Sequence, residues 1–233
     1  MKIVKIERTD GRPETNGCKN GASKILEQLK DVWFSEDYKK LNYDVVGKNG
    51  DLYLGGDHSV SYEVFSNNKC DGLLILDAHP DVYNEFKTAT HLDWLRFLIN
   101  EGKVKSENVM LVGIRSFHKD EIYYLREKKI KFVTMKQVFE NGIKDVVDGV
   151  MEFVNEFESL YLSVDLDVVD PAFAPGVGYV ESGGLSSREL IYFIQRLKNL
   201  KNLKKVDIVE VNVDKDVNNM TSKLAAKLIY ELS

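Results

Sequence analysis

The stretch GLLILDAHPDVY, Gly72 to Tyr83, constrains this chain more than any other. Successive side chains of a strand point to opposite faces. The run Leu73–Leu76 is therefore apolar on both faces. Such a strand needs cover on both sides, as in a parallel sheet packed between helices. The run then breaks abruptly into Asp77, His79 and Asp81. Further short apolar segments point to strands at Lys2–Ile6, Leu52–Leu54, Val109–Gly113, Ile130–Val133, Leu160–Val164 and Val206–Val211, with a weaker one at Tyr43–Val46. Amphipathic patterns between them predict helices over Ala22–Trp33, Ser59–Ser66, Leu92–Asn100, Glu121–Lys128, Ile143–Phe157, Arg188–Leu197 and Met220–Leu232. The charge-rich KNLKNLKK, Lys198–Lys205, reads as a solvated helix end.

Strands alternating with helices imply an α/β fold with right-handed crossovers: three layers, α/β/α, around a mostly parallel sheet of about eight strands. With 233 residues, 43% of them hydrophobic, the chain is expected to form a single domain over residues 1–233. In such sheets ligands bind where the carboxyl ends of the strands emerge. Four strand ends deliver acids or imidazoles there. GGDHS follows Leu54 and supplies His58; DAHPD follows Leu76 and supplies Asp77, His79 and Asp81. DLDVVDPAFAPG supplies Asp165, Asp167 and Asp170, and VEVN supplies Glu210.

The i, i+2 spacing lets Asp165 and Asp167 converge if their strand persists, and lets Asp77, His79 and Asp81 do likewise beyond theirs. Gly55 and Gly56 permit a close backbone approach just before His58. A lone acid after a strand is usually a turn former, and Asp170 before Pro171 reads as one. The set of Asp77, Asp81, Asp165 and Asp167 reads differently. Two like charges ~4 Å apart repel by roughly 4 kcal/mol at an effective dielectric of ~20. Divalent cations would neutralise that repulsion. Carboxylates and imidazoles without a thiolate form a hard set that suits Mn²⁺ or a similar ion better than structural zinc. Two such ions ~3.5–4 Å apart generate hydroxide at neutral pH, so the chemistry implied is hydrolysis.

Composition removes other classes. The 32 basic against 37 acidic residues leave no basic stripe, so nucleic acid is not expected as a partner. Apolar runs fall far short of a membrane span, and the charged N-terminus does not read as a signal peptide. Two cysteines, Cys18 and Cys70, without CxxC spacing fit reduced thiols in a cytoplasmic protein.

GGDHS, DAHPD, SVDLDVVDPAFAPG and DIVEVNVDKD, in that order over residues 55–216, resemble the motifs of the ureohydrolases: arginase, agmatinase, formimidoylglutamase and relatives. GGLSSREL and the NNMTSKLAAKLIYEL tail are similar too. The resemblance implies an arginase-type fold and two Mn²⁺ per chain. It places His58, Asp81, Asp77 and Asp165 on one ion, and His79 and Asp167 on the other with the same bridging Asp77 and Asp165. A hydroxide between the ions would attack a guanidinium carbon, releasing urea and an amine from a small cationic guanidino substrate. Asp81 would orient that hydroxide, Glu210 would pair with the guanidinium, and His91 would pass a proton to the leaving amine. His118 matches no motif and reads as a surface residue. The family's trimers and hexamers imply a homo-oligomer.

The chain also departs from the family pattern. It is short before GGDHS, Leu92 follows His91 where a small residue is usual, and Tyr179 stands in place of a threonine. Tyr83 occupies the position where arginases carry an asparagine for the substrate α-carboxylate. With VGIRSFHKDE, this favours an agmatinase-like substrate. Arginase, guanidinobutyrase, formimidoylglutamase and a metal-binding member without ureohydrolase activity are the alternatives. A single-zinc deacetylase of related fold fits less well, because all six ligand positions of a two-metal site are filled.

Overall fold

The computed structural model describes residues 1–30, 41–84 and 86–233. Eight strands form one sheet: β1 (Lys2–Lys5), β2 (Asp44–Val46), β3 (Leu52–Leu54), β4 (Gly72–Leu76), β5 (Val109–Ile114), β6 (Lys131–Thr134), β7 (Leu160–Asp165) and β8 (Leu203–Val209). Their order is β2-β1-β3-β8-β7-β4-β5-β6, and every pairing is parallel. The helices are α1 (Gly21–Leu29), α2 (Ser59–Asn67), α3 (Trp94–Asn100), α4 (Lys119–Glu127), α5 (Met135–Asn141), α6 (Ile143–Val154), α7 (Ser187–Leu197) and α8 (Met220–Leu232).

The apolar run of β4 shows why the sheet is sandwiched. Leu74 and Leu76 enter one core with residues of α1, α5, α6, α7 and α8. Leu73 and Ile75 enter a second core with residues of α2, α3 and α4. Alternation along one strand thus feeds two cores, and all five β4 residues are buried.

One expectation needs correction, one is tested only in part, and one helix was missed. The helix read over Ala22–Trp33 is α1, and the last residues of that span lie outside the described residues. The Lys198–Lys205 patch is only partly a helix end, since β8 begins at Leu203 and pairs with Leu160 of β7. Helix α5 was not anticipated. Its signal is the sequence TMKQ, where Thr134 and Gln137 form a reciprocal capping box. Among the described residues no helix is long and apolar enough to cross a membrane.

The consequence for the site is positional. Strands β3, β8, β7 and β4 are contiguous at the centre of the sheet, and their carboxyl ends carry the motifs read from sequence.

Candidate metal centre

The strands stop where the ligands begin. β4 ends at Leu76, and Asp77 Oδ1 accepts the His79 N–H at 2.6 Å. β7 ends at Asp165, whose Oδ1 accepts the Asp167 N–H at 2.8 Å; Leu166–Val168 form a 3₁₀ turn. The strands therefore do not persist as the i, i+2 argument required. Each aspartate instead turns its own backbone by bonding the amide two residues on. Asp167 Oδ1 accepts the Ala78 N–H at 3.0 Å, which ties the two strand exits together.

Two groups of ligand atoms result, sharing Asp77: His58, Asp77 and Asp165, and Asp77, His79 and Asp167. His58 Nδ1 lies 2.9 Å from Asp77 Oδ2, 2.9 Å from Asp81 Oδ2 and 3.2 Å from Asp165 Oδ2. His79 Nδ1 lies 2.9 Å from Asp167 Oδ2 and 3.6 Å from Asp77 Oδ1. Asp77 thus offers one oxygen to each group. A single Nδ1 proton cannot serve three carboxylate oxygens. His58 Nδ1 and Asp77 Oδ2 are in fact buried without a well-aligned hydrogen bond. A divalent cation at this point would satisfy all of them, so the residues present fit a metal.

Electrostatics agree with that fit. Burial and the charges of Asp167 and Asp77 push the Asp165 carboxyl well above its ordinary range. Burial opposes a charged His58, but Asp165, Asp77 and Asp81 outweigh it and raise the imidazole well above 6.5. Asp165 and His58 thus hold protons tightly, whereas His79 lowers the Asp167 carboxyl against the effect of burial.

A cavity of about 350 Å³ opens beside the groups. His58, His79, Asp81, Asp165 and Asp167 line it, together with His91, Leu92, Glu210, Tyr179, Glu181, Glu121, His118 and Ser116.

The sequence model described as the arginase family matches residues 8–233. This chain belongs to the arginase family. Its members are metal-dependent amidino hydrolases, and the chain is an enzyme of that class. An arginase of Staphylococcus aureus (strain MRSA252) is 28% identical over 98% of this chain and 80% of its own length. The crystal structure of arginase from Bacillus subtilis superimposes with a TM-score of 0.85 at 26% identity, covering 100% of this chain and 97% of the other. Formimidoylglutamase of Bacillus subtilis subsp. subtilis str. 168 shares the fold, with a TM-score of 0.89 at 23% identity over 99% of this chain and 85% of its own.

In this arginase-family chain all six expected ligands lie in the two groups or against them. Asp81 reaches His58 while its Oδ2 also accepts the Trp94 indole N–H at 2.8 Å. Its backbone is left-handed, with φ 52. Glu210 is likewise left-handed, with φ 65, immediately after β8. Its Oε1 accepts the His58 N–H at 2.9 Å and its Oε2 accepts from Cys18 Sγ at 3.3 Å. Gly178 leaves room for that carboxylate, since a Cβ there would collide with Oε2. Burial and the charge of Asp57, partly offset by His91, raise Glu210 to about 8. Gly56 confirms the close approach expected before His58, because a Cβ there would strike the Arg8 carbonyl.

His91 lines the cavity and pairs through Nδ1 with Asp10 at 2.7 Å. The Tyr179 ring lies 5.5 Å from that of His91 and 6.0 Å from that of His79. Tyr179 forms a wall of the cavity and does not fill it. Tyr83 does not line the cavity; its ring lies 6.2 Å from His118, in a neighbouring depression. His118 is exposed as expected, yet it also lines the cavity and caps α4. Asp170 is a turn former, its carboxylate accepting the N–H groups of Ala172 at 3.0 Å and Gly183 at 2.7 Å.

Several contributors were not read from the sequence. His58 Nε2 meets Ser163 Oγ at 2.9 Å, and Ser163 donates to Asp207 Oδ1 at 2.6 Å. Tyr161 and Ser61 donate to Asp207 Oδ2, each at 2.6 Å. The signal was present: Tyr161, Ser163 and Asp165 share one strand face, and Asp207 is an acid inside an apolar strand. Glu181 Oε1 accepts from Ser116 Oγ at 3.0 Å and lies 3.5 Å from His79 Nε2. Arg115 Nη2 donates to the carbonyls of Asp167 at 2.6 Å and Glu181 at 2.8 Å, holding the loop to the ligand strand. Asp10, Asp57 and His91 also bring donor atoms together. Both Asp57 oxygens are occupied, by Ser59 and by Asp10 and Thr15, so that acid is structural.

Proposed function

We propose that the chain is a dimanganese hydrolase of a linear guanidino or amidino compound, agmatinase-like in substrate. The observation that carries the substrate class is the charge of the cavity wall. It holds six acids, Asp81, Glu121, Asp165, Asp167, Glu181 and Glu210, and no lysine or arginine among the described residues. Two divalent cations offset four negative charges, so the wall still favours a cationic compound without a carboxylate.

His58, Asp81, Asp77 and Asp165 would hold one Mn²⁺; His79 and Asp167, with Asp77 and Asp165, the other. When bound, the ions supply a hydroxide nucleophile at neutral pH. The remaining work belongs to the protein. Glu210 offers the guanidinium a charge-assisted hydrogen bond and sets the carbon in place. Asp81, fixed by the Trp94 indole, orients the nucleophile. His91 gives a proton to the departing amine.

Product release by Mn²⁺-loaded protein from agmatine, arginine, guanidinobutyrate and formimidoylglutamate tests this. The expected result is the highest kcat/KM with agmatine. A preference for a carboxylated substrate overturns the agmatinase-like assignment; no turnover of any leaves a metal-binding protein without this activity.

A further inference from the structure

The structure assigns a role to Asp10, a residue outside the strand-end motifs. We propose that Asp10 is a positioning residue that fixes the tautomer and orientation of His91. The proposal rests on the reading of His91 as proton donor to the leaving amine.

One oxygen, Asp10 Oδ2, meets His91 twice: the ring Nδ1 at 2.7 Å and the backbone N–H at 3.2 Å. The side chains of His91 and Asp10 are only 4% and 7% exposed. The carboxylate is itself held. Asp10 Oδ1 accepts the Arg12 N–H at 3.0 Å, and the Asp10 N–H donates to Asp57 Oδ2 at 2.8 Å. A carboxylate at 2.7 Å requires Nδ1 to carry a proton. The exchangeable position is then Nε2, which is buried without a partner on a ring that lines the cavity. The Tyr179 ring, tilted 30° to the imidazole, lies 5.5 Å from it.

The proton balance follows. His91 Nε2–H gives its proton to the amine nitrogen as the C–N bond breaks and the electron pair moves to that nitrogen. The imidazole is left neutral, still Nδ1–H to Asp10, and regains its Nε2 proton from the water that supplies the next hydroxide nucleophile. No ring flip is needed at any point in the cycle. Asp10, Asp57, Glu210, Asp81 and the Tyr179 hydroxyl are the titratable groups acting on this pair, with Arg12 beside Asp10 as the cation.

A double-mutant cycle on Mn²⁺-loaded protein tests the role. Asp10→Asn keeps an acceptor for the Arg12 amide. It should lower kcat about 10- to 100-fold with little change in KM or metal content. The basic limb of the kcat profile should move to lower pH, because the imidazolium loses its carboxylate. In a His91→Ala background the same change should have no further effect. Asp10→Glu should restore part of the rate. Wild-type kcat in Asp10→Asn, or an equal loss in both backgrounds, overturns the proposal. Should wild-type protein turn over no guanidino compound, the hydrolase reading fails separately. Nitrogen-15 NMR of the histidine rings in zinc-loaded protein then decides the pairing. An Nδ1-protonated His91 whose ring shifts move in Asp10→Asn supports it, and unmoved shifts overturn it.

Discussion

Ser163 donates its hydroxyl proton to Asp207 at 2.6 Å, which leaves Ser163 Oγ as the acceptor for His58 Nε2. The proton of His58 is therefore directed to Nε2, and Nδ1 is left for a cation. Metal-binding histidines are ordinarily oriented this way by a partner on the far nitrogen. Ser163→Ala should weaken binding at the His58 position about 10-fold or more, read by calorimetric titration with Mn²⁺. Asp207→Ala strands three buried hydroxyls at about 1–3 kcal/mol each, and its urea midpoint should fall accordingly.

On the other side of the centre, Glu181 stands in the corresponding place for His79. Glu181→Ala should weaken the second ion about 10-fold while leaving the first unchanged. Two unresolved, equally weakened sites would argue that the glutamate acts through the loop and not through the imidazole.

Glu210 gives a pH prediction. Its carboxyl, raised to about 8, must be ionised to receive a guanidinium. Below its pKa the proton competes with the cationic substrate, so kcat/KM should rise with pH and level off at or below pH 8. The bound ions draw the value downward, never upward. A Glu210→Gln variant that keeps the same acidic limb would detach Glu210 from substrate binding.

Asp10 gives a second one, in stability. His91 outweighs the effect of burial and lowers the Asp10 carboxyl from 3.8 to about 2. A depressed acid stabilises the fold above its unfolded value and loses that contribution as pH falls through the folded one. His91, raised by the same contact, contributes below its ordinary value near 6.5 and loses it as pH rises past its folded value. The Tm gap between wild type and Asp10→Asn should be widest at about pH 4–6.5 and close towards pH 2. A gap that persists at pH 2 would point to a different cause.

The sequence carried the fold because β4, β5 and β7 are long enough to show two-sided apolar runs, and because helix and strand periods differ. The candidate ligand set was legible for a related reason: acids and imidazoles are conspicuous directly after such runs. What escaped were partners brought together by folding alone. Nothing local joins Asp10 to His91, or Ser163 to Asp207, across 81 and 44 residues. The turn at Asp165 escaped too, since strand continuation and an aspartate-bonded turn begin with the same residues.

Asp81 and Glu210 are the two acids of the proposed mechanism with left-handed backbones. Glycine accepts that conformation without the penalty of roughly 1 kcal/mol or more that a side-chain-bearing residue meets. Backbone relief at either position thus favours a substitution that would erase the chemistry. Loss of activity is in this sense downhill for folding, and random drift in such a chain would be expected to yield sturdier, inert relatives wherever turnover ceases to matter.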